Sequence, residues 1–153
     1  MCRPGDIVLL AGDLGAGKTT LAQGFGRALG VEEPITSPTF VLQRHYHCAP
    51  GALGGRIQTL LHVDVYRLDR LAEVVDLGTA ELVEDCAVAL VEWGDVASSV
   101  LGADALVVGL VADLDSVEEG APVRLVSVQA SGETWLARRA ALASALREWC
   151  VER

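Results

Sequence analysis

The chain has 153 residues, 51% of them hydrophobic and 22% charged, a composition that supports a buried core and excludes a disordered chain. Its formal net charge of −9 excludes unaided strong binding of nucleic acid, which needs a basic face, and leaves open work on nucleic acid through a partner. The longest apolar runs, 7–11, 87–91 and 105–112, fall short of the roughly 20 residues of a membrane helix, and nothing at the N-terminus reads as a signal peptide, so a cytoplasmic protein with no membrane contact is expected.

Residues 6–11 are an apolar run behind a Pro-Gly turn and predict a buried strand. The stretch 12–17 is a glycine-rich loop. Residues 18–29 predict a helix with Leu21, Ala22, Phe25, Ala28 and Leu29 along one face and Gly30 as its stop. Gly24 and Gly26 weaken that helix, so close packing on a sheet is expected to hold it. Residues 34–38 read as irregular, 39–46 as extended, and 48–56, with Pro50, Gly51, Gly54 and Gly55, as a mobile loop.

A strand over 59–66 ends in a charged patch, 72–86 reads as mostly helical with a break near Gly78, and 87–92 is a second buried strand with an acidic end. Strands over 104–112 and 123–130 flank an acidic turn at 113–120, an arrangement that suits antiparallel pairing. A terminal helix over 134–149 carries Trp135, Leu142, Leu146 and Trp149 on its buried side. Strands alternating with helices, without a repeat or a linker, predict a single α/β domain over 1–153, and unbroken apolar strands suit a sheet covered on both faces. Cys2, Cys48, Cys86 and Cys150 are too scattered for a Cys-x-x-Cys pair and read as reduced thiols.

Gly12, Asp13, Leu14, Gly15, Ala16, Gly17, Lys18 and Thr19 match G-x-x-x-x-G-K-[ST] in full, between a predicted strand and a predicted helix. The chemistry explains each residue type. Glycines let the loop curl so that backbone N–H groups point at phosphate oxygens, and the helix adds the positive end of its dipole. Lys18 reaches the β- and γ-phosphates, and the Thr19 hydroxyl ligates magnesium, so ATP and Mg2+ are the expected cofactors. Twelve residues are lysine or arginine, and Lys18 is the only lysine among them. It stands where a compact ammonium suits and a planar guanidinium does not.

Such a loop needs carboxylates across the site. Asp64 and Glu92 each end an apolar run, where ligands of open α/β sheets bind. His45, His47 and His62 suggest a metal cluster, and His45-Tyr46-His47 puts two of the imidazoles on one strand face. No third ligand follows at a usual spacing, and a zinc site is not expected.

In order and spacing, Gly12 to Thr20, Ser37-Pro38-Thr39-Phe40, His62-Val63-Asp64-Val65-Tyr66-Arg67-Leu68 and Val91-Glu92-Trp93 resemble the bacterial TsaE family, the ATPase of tRNA threonylcarbamoyladenosine biosynthesis. The resemblance implies a P-loop NTPase-like three-layer fold, with a mainly parallel central sheet and antiparallel C-terminal strands. It implies that Thr39 lies in a switch-like segment facing the γ-phosphate. Asp64 is then the catalytic or water-positioning acid, Glu92 joins Thr19 around magnesium, and Trp93 lies beside the site. Lys18, Thr39, Asp64 and Glu92 would carry the chemistry, with Gly15 to Thr20 cradling the phosphates. The implied partners are TsaD and TsaB, with tRNA engaged only indirectly.

The chain departs from the family in two places. Members usually carry a further strand and helix ahead of Asp6, so these are expected to be missing, which would leave a sheet edge uncovered. Ala121 stands where some members place a nucleotide-contacting arginine, which bears on base selectivity. Two rival readings of the same loop are a small-molecule kinase, with Arg44, Arg56, Arg67 and Arg70 as lid arginines, and a nucleotide-dependent binding module without useful turnover.

Overall fold

In the computed structural model, residues 2–37, 43–51, 55–65, 86–118 and 121–150 are described. The expected helix over 72–86 and the extended start at 39–42 lie outside them, apart from Cys86. The described strands are β1 (Ile7–Ala11), β2 (Gln43–His47), β3 (Thr59–Asp64), β4 (Ala87–Glu92), β5 (Leu106–Glu118) and β6 (Ala121–Ala130). They form one sheet in the order β2-β3-β4-β1-β5-β6. The β3–β4, β4–β1 and β1–β5 pairs are parallel, while β2 and β6 join the edges antiparallel.

Strand side chains alternate between faces, and each face has its own cover. Val8, Leu10, Leu60, Val88, Leu90 and Val108 pack with Ala22 and Leu29, from helix α1 (Lys18–Ala28) and its end, and with Trp135 of α3 (Gly132–Leu136). Leu9, Leu61, Val63, Ala89 and Val91 pack with Ala97 of α2 (Gly94–Leu101). All six residues of β3 and all six of β4 are buried, as suits strands covered on both faces. Three layers of the P-loop NTPase type result.

The structure corrects several boundaries. The acidic stretch 113–120, a turn by its sequence, is largely strand: β5 runs to Glu118 and β6 starts at Ala121, with a register shift between Asp113 and Val117. After that shift the ladder resumes at the Val117–Pro122 and Glu118–Ala121 pairs. The terminal helix is not continuous: α3 ends at Leu136, α4 spans Arg139–Leu146, and a 3-10 turn covers Arg147–Trp149. Trp135 is buried as expected, but Trp149 is 77% exposed. Ala28 is likewise exposed and does not join the buried face of α1.

Gly26 confirms the close packing expected of α1, because a Cβ there would collide with Ile35 Cδ1. Gly24 does not share this duty, since the nearest atom to a Cβ would be the Arg27 guanidinium at 3.8 Å. Gly94 is more demanding. A Cβ there would lie 2.9 Å from the Leu9 carbonyl carbon and 3.0 Å from the Leu10 nitrogen, backbone that cannot move aside. Gly24→Ala should therefore raise unfolding stability by about 0.5–1 kcal/mol. Gly94→Ala should lower it by about 1–3 kcal/mol. Urea unfolding of both variants checks the pair, and equal shifts would sink the packing argument.

All four cysteines are free thiols. Burial pushes the Cys2 and Cys48 thiols above their ordinary pKa. Among the described residues, no helix is long and apolar enough to cross a membrane.

Candidate functional site

The loop between β1 and α1 owes its shape to three glycines with positive φ: Gly12 (136°), Gly15 (81°) and Gly17 (108°). At Gly12 a side chain would also strike the Leu110 backbone carbonyl, so β5 presses directly on the loop's entry. Ala16 points into the core and anchors the loop from behind. Arg124 Nε of β6 donates to the Ala16 carbonyl at 3.3 Å. Helix α1 starts after Gly17 with no side-chain cap on its first-turn N–H groups. Gly17, Lys18, Thr19 and Thr20 line a cleft of about 500 Å³, so an uncapped helix N-terminus opens onto it.

The other walls of the cleft are Leu14, Gly15, Ser37, Asp64, Glu92 and Trp93. Lys18 is only 5% exposed. Its ammonium donates to the carbonyls of Gly12 (2.7 Å) and Asp13 (2.9 Å) and lies 3.9 Å from the centre of the Trp93 ring. Trp93 adopts a left-handed backbone (φ 63°) that a bulky residue rarely takes. That turn separates the end of β4 from α2 and lays the indole against Lys18. The Asp13 side chain is exposed, and Leu14, 88% exposed, stands at the mouth.

Asp64 and Glu92 are partners in the β3–β4 register, so both carboxylates emerge side by side at the carboxyl ends of parallel strands. They are 5% and 3% exposed. Thr19 Oγ1 donates to Glu92 Oε1 at 3.0 Å and to Oε2 at 3.1 Å. Ser37 Oγ donates to Asp64 Oδ2 at 2.9 Å. Thr39, the remaining candidate, lies outside the described residues.

This donor set fits magnesium. Neighbouring ligands in an octahedral shell with metal–oxygen bonds of about 2.0–2.1 Å stand about 2.9 Å apart. The Thr19 hydroxyl and the Glu92 carboxylate already have nearly that separation. Both are hard oxygen donors, and the cleft leaves room for the waters that magnesium keeps.

Sequence reasoning misses three members of this surround. Ser37 lies within a recognised motif that gives it no role of its own. Arg124 sits in a strand whose face only the sheet register reveals. His62 reads in the sequence as a companion of His45 and His47, yet the sheet separates them: the other two are exposed on an edge strand, whereas His62 is fully buried and bonded to Glu92 at 2.9 Å. A signal is present all the same, because residues two apart on a strand share a face, which puts His62 with Asp64.

Comparison with known proteins identifies the family and the fold. A sequence profile for the family described as "Threonylcarbamoyl adenosine biosynthesis protein TsaE" matches residues 1–120. A protein of Streptomyces coelicolor named "tRNA threonylcarbamoyladenosine biosynthesis protein TsaE" is 41% identical over 138 residues, 88% of this chain and 86% of that one. A Treponema pallidum protein of the same name is 44% identical over 97 residues, 63% of this chain, and the match spans 66% of that relative's length. Among solved structures, that of YdiB from Bacillus subtilis superposes with a TM-score of 0.66 at 28% identity, covering 94% of this chain and 80% of that one.

Proposed function

Since the chain belongs to the TsaE family, we propose that it is a magnesium-dependent ATPase that serves the formation of tRNA threonylcarbamoyladenosine by acting on a TsaD–TsaB complex. The observation that carries the reading is the contact of Thr19 with Glu92 beside the helix N-terminus. It joins the phosphate loop to the second buried strand at the point where triphosphate and metal must meet.

In this reading the backbone N–H groups from Gly15 to Thr20 hold the β- and γ-phosphates, and Lys18 turns from the Gly12 and Asp13 carbonyls to a phosphate oxygen. Thr19 and Glu92 hold magnesium, which when bound offsets charge on the phosphate oxygens. Asp64 orients the attacking water, and Ser37, bonded to it, starts the segment in which Thr39 would report on the γ-phosphate. Catalysis is positioning and electrostatics, with no covalent intermediate on the protein. A net charge of −9 suits a subunit that meets protein partners and reaches tRNA only through them. Of the arginines that the kinase alternative would use as a lid, Arg44 and Arg56 do not line the cleft, and Arg67 and Arg70 lie outside the described residues.

The test is phosphate release from magnesium-ATP with and without TsaD–TsaB, comparing the unsubstituted chain with Asp64→Asn. Release should depend on the partner complex, and the variant should lose about a hundredfold in kcat with little change in KM. Transfer of phosphate to a metabolite would instead establish a kinase. Tight ATP binding without any release in the presence of the partners would establish a binding module.

A further inference from the structure

His62 is fully buried in the middle of the sheet, and the mechanism above gives it no task. Its Nε2 lies 2.9 Å from Glu92 Oε1, the oxygen that also accepts from Thr19. Its Nδ1 has no hydrogen-bond partner among the described residues. The tautomer follows. A hydrogen on Nε2 gives Glu92 a donor and leaves at Nδ1 only a lone pair without a partner among the described residues. A hydrogen on Nδ1 alone would bury an unsatisfied N–H and set two lone pairs against each other. The Tyr46 ring lies 6.5 Å away between centres, tilted by 39°.

We propose that His62 is a positioning residue for the magnesium site, fixing the Glu92 carboxylate so that it and the Thr19 hydroxyl present a prearranged pair of oxygens. The inference rests on the magnesium reading above. Glu92 ends a strand on a long side chain with three torsions. Thr19 bonds both of its oxygens and so does not choose between them. His62 does choose, because it bonds Oε1 from within the core, where it cannot move. Partners that orient a metal ligand in this way typically matter about 10–100-fold in metal affinity.

The experiment measures binding of a fluorescent ATP analogue in EDTA and in manganese. The quantity read is the gain in affinity that the metal provides, with circular dichroism confirming the fold. His62→Leu keeps the volume and removes the donor, so the gain should fall about tenfold while binding in EDTA stays unchanged. His62→Gln, whose amide nitrogen reaches the place of Nε2, should restore most of it. His62→Asn, one bond shorter, should not. Adding Glu92→Gln to His62→Leu should cost little more than Glu92→Gln alone, because the two act as a unit. An unchanged gain in folded His62→Leu overturns the inference, as does equal loss in Gln and Asn. Should the Leu variant fail to fold, the Gln and Asn comparison decides alone. If manganese gives no gain to the unsubstituted chain, the metal reading itself falls, and this inference with it.

Discussion

Lys18→Ala should lower kcat/KM for phosphate release about a thousandfold and leave the fold intact. Electrostatic groups aimed at developing charge are worth about 10²–10³ each in a water-excluded site, and Lys18 is the only cation lining the cleft among the described residues. Its present partners are two neutral carbonyls and a ring face, so turning to a phosphate breaks no ion pair with a carboxylate. The fold does not depend on it, since the apolar clusters on both faces of the sheet are built without it. Lys18→Arg should fail almost as badly. The space between the loop carbonyls and the indole suits a compact ammonium, and a planar guanidinium cannot turn within it. Steady-state kinetics with thermal unfolding as control checks this. A variant that keeps more than a tenth of the activity would remove Lys18 from the mechanism.

The second large effect is on stability. Arg138→Met should destabilise the chain by about 3–5 kcal/mol, because it strands a buried carboxylate. Arg138 grips Asp6 with two bonds, 2.6 and 2.7 Å, donates to the Thr134 carbonyl at 2.9 Å, and lays its guanidinium 4.0 Å from the centre of the Trp135 ring. The hydrogen bond to Asp6 raises the guanidinium pKa above its ordinary value, against the opposing pull of burial. Asp6 also accepts the Arg3 N–H at 2.7 Å, so the clasp ties the entry of β1 to the break between α3 and α4. The double variant Asp6→Leu with Arg138→Met should recover much of the loss, since no charge is left buried. Urea unfolding with an unchanged m-value reads both. A loss under about 1 kcal/mol in Arg138→Met would mean that water reaches Asp6 and the pair is not a buried one.

The pair also shows where sequence reading stops. The bounds of β4 are legible because all of its side chains are buried, and a short unbroken apolar run with an acid at its end suits a strand covered on both faces. The phosphate loop is legible because its demands are local: three glycines, a lysine and a threonine in fixed order. Helix α2 is not. Gly94, Ser98 and Ser99 argue against a helix, and what holds it is contact with β1, far away in the chain. Arg138 meets a partner 132 residues away, Arg124 one 108 away, and His62 one 30 away. No local period encodes such meetings; they exist only once the strand order brings the segments together. Trp149 misleads for the opposite reason. Leu142 still packs against the core, but the helical period carried on to Trp149 runs past the end of α4 and predicts burial for a side chain that stands exposed.

The burial of the single lysine has a practical consequence for anyone who handles this protein. Side-chain amine chemistry has one address in the whole molecule, and that address is the phosphate loop. Acylation, reductive methylation or coupling to an activated ester at a side chain would neutralise or enlarge the one group on which nucleotide recognition turns, whereas the exposed Cys150 offers a thiol far from it along the chain. Attachment chemistry and site chemistry are thus separable here by choosing sulfur over nitrogen.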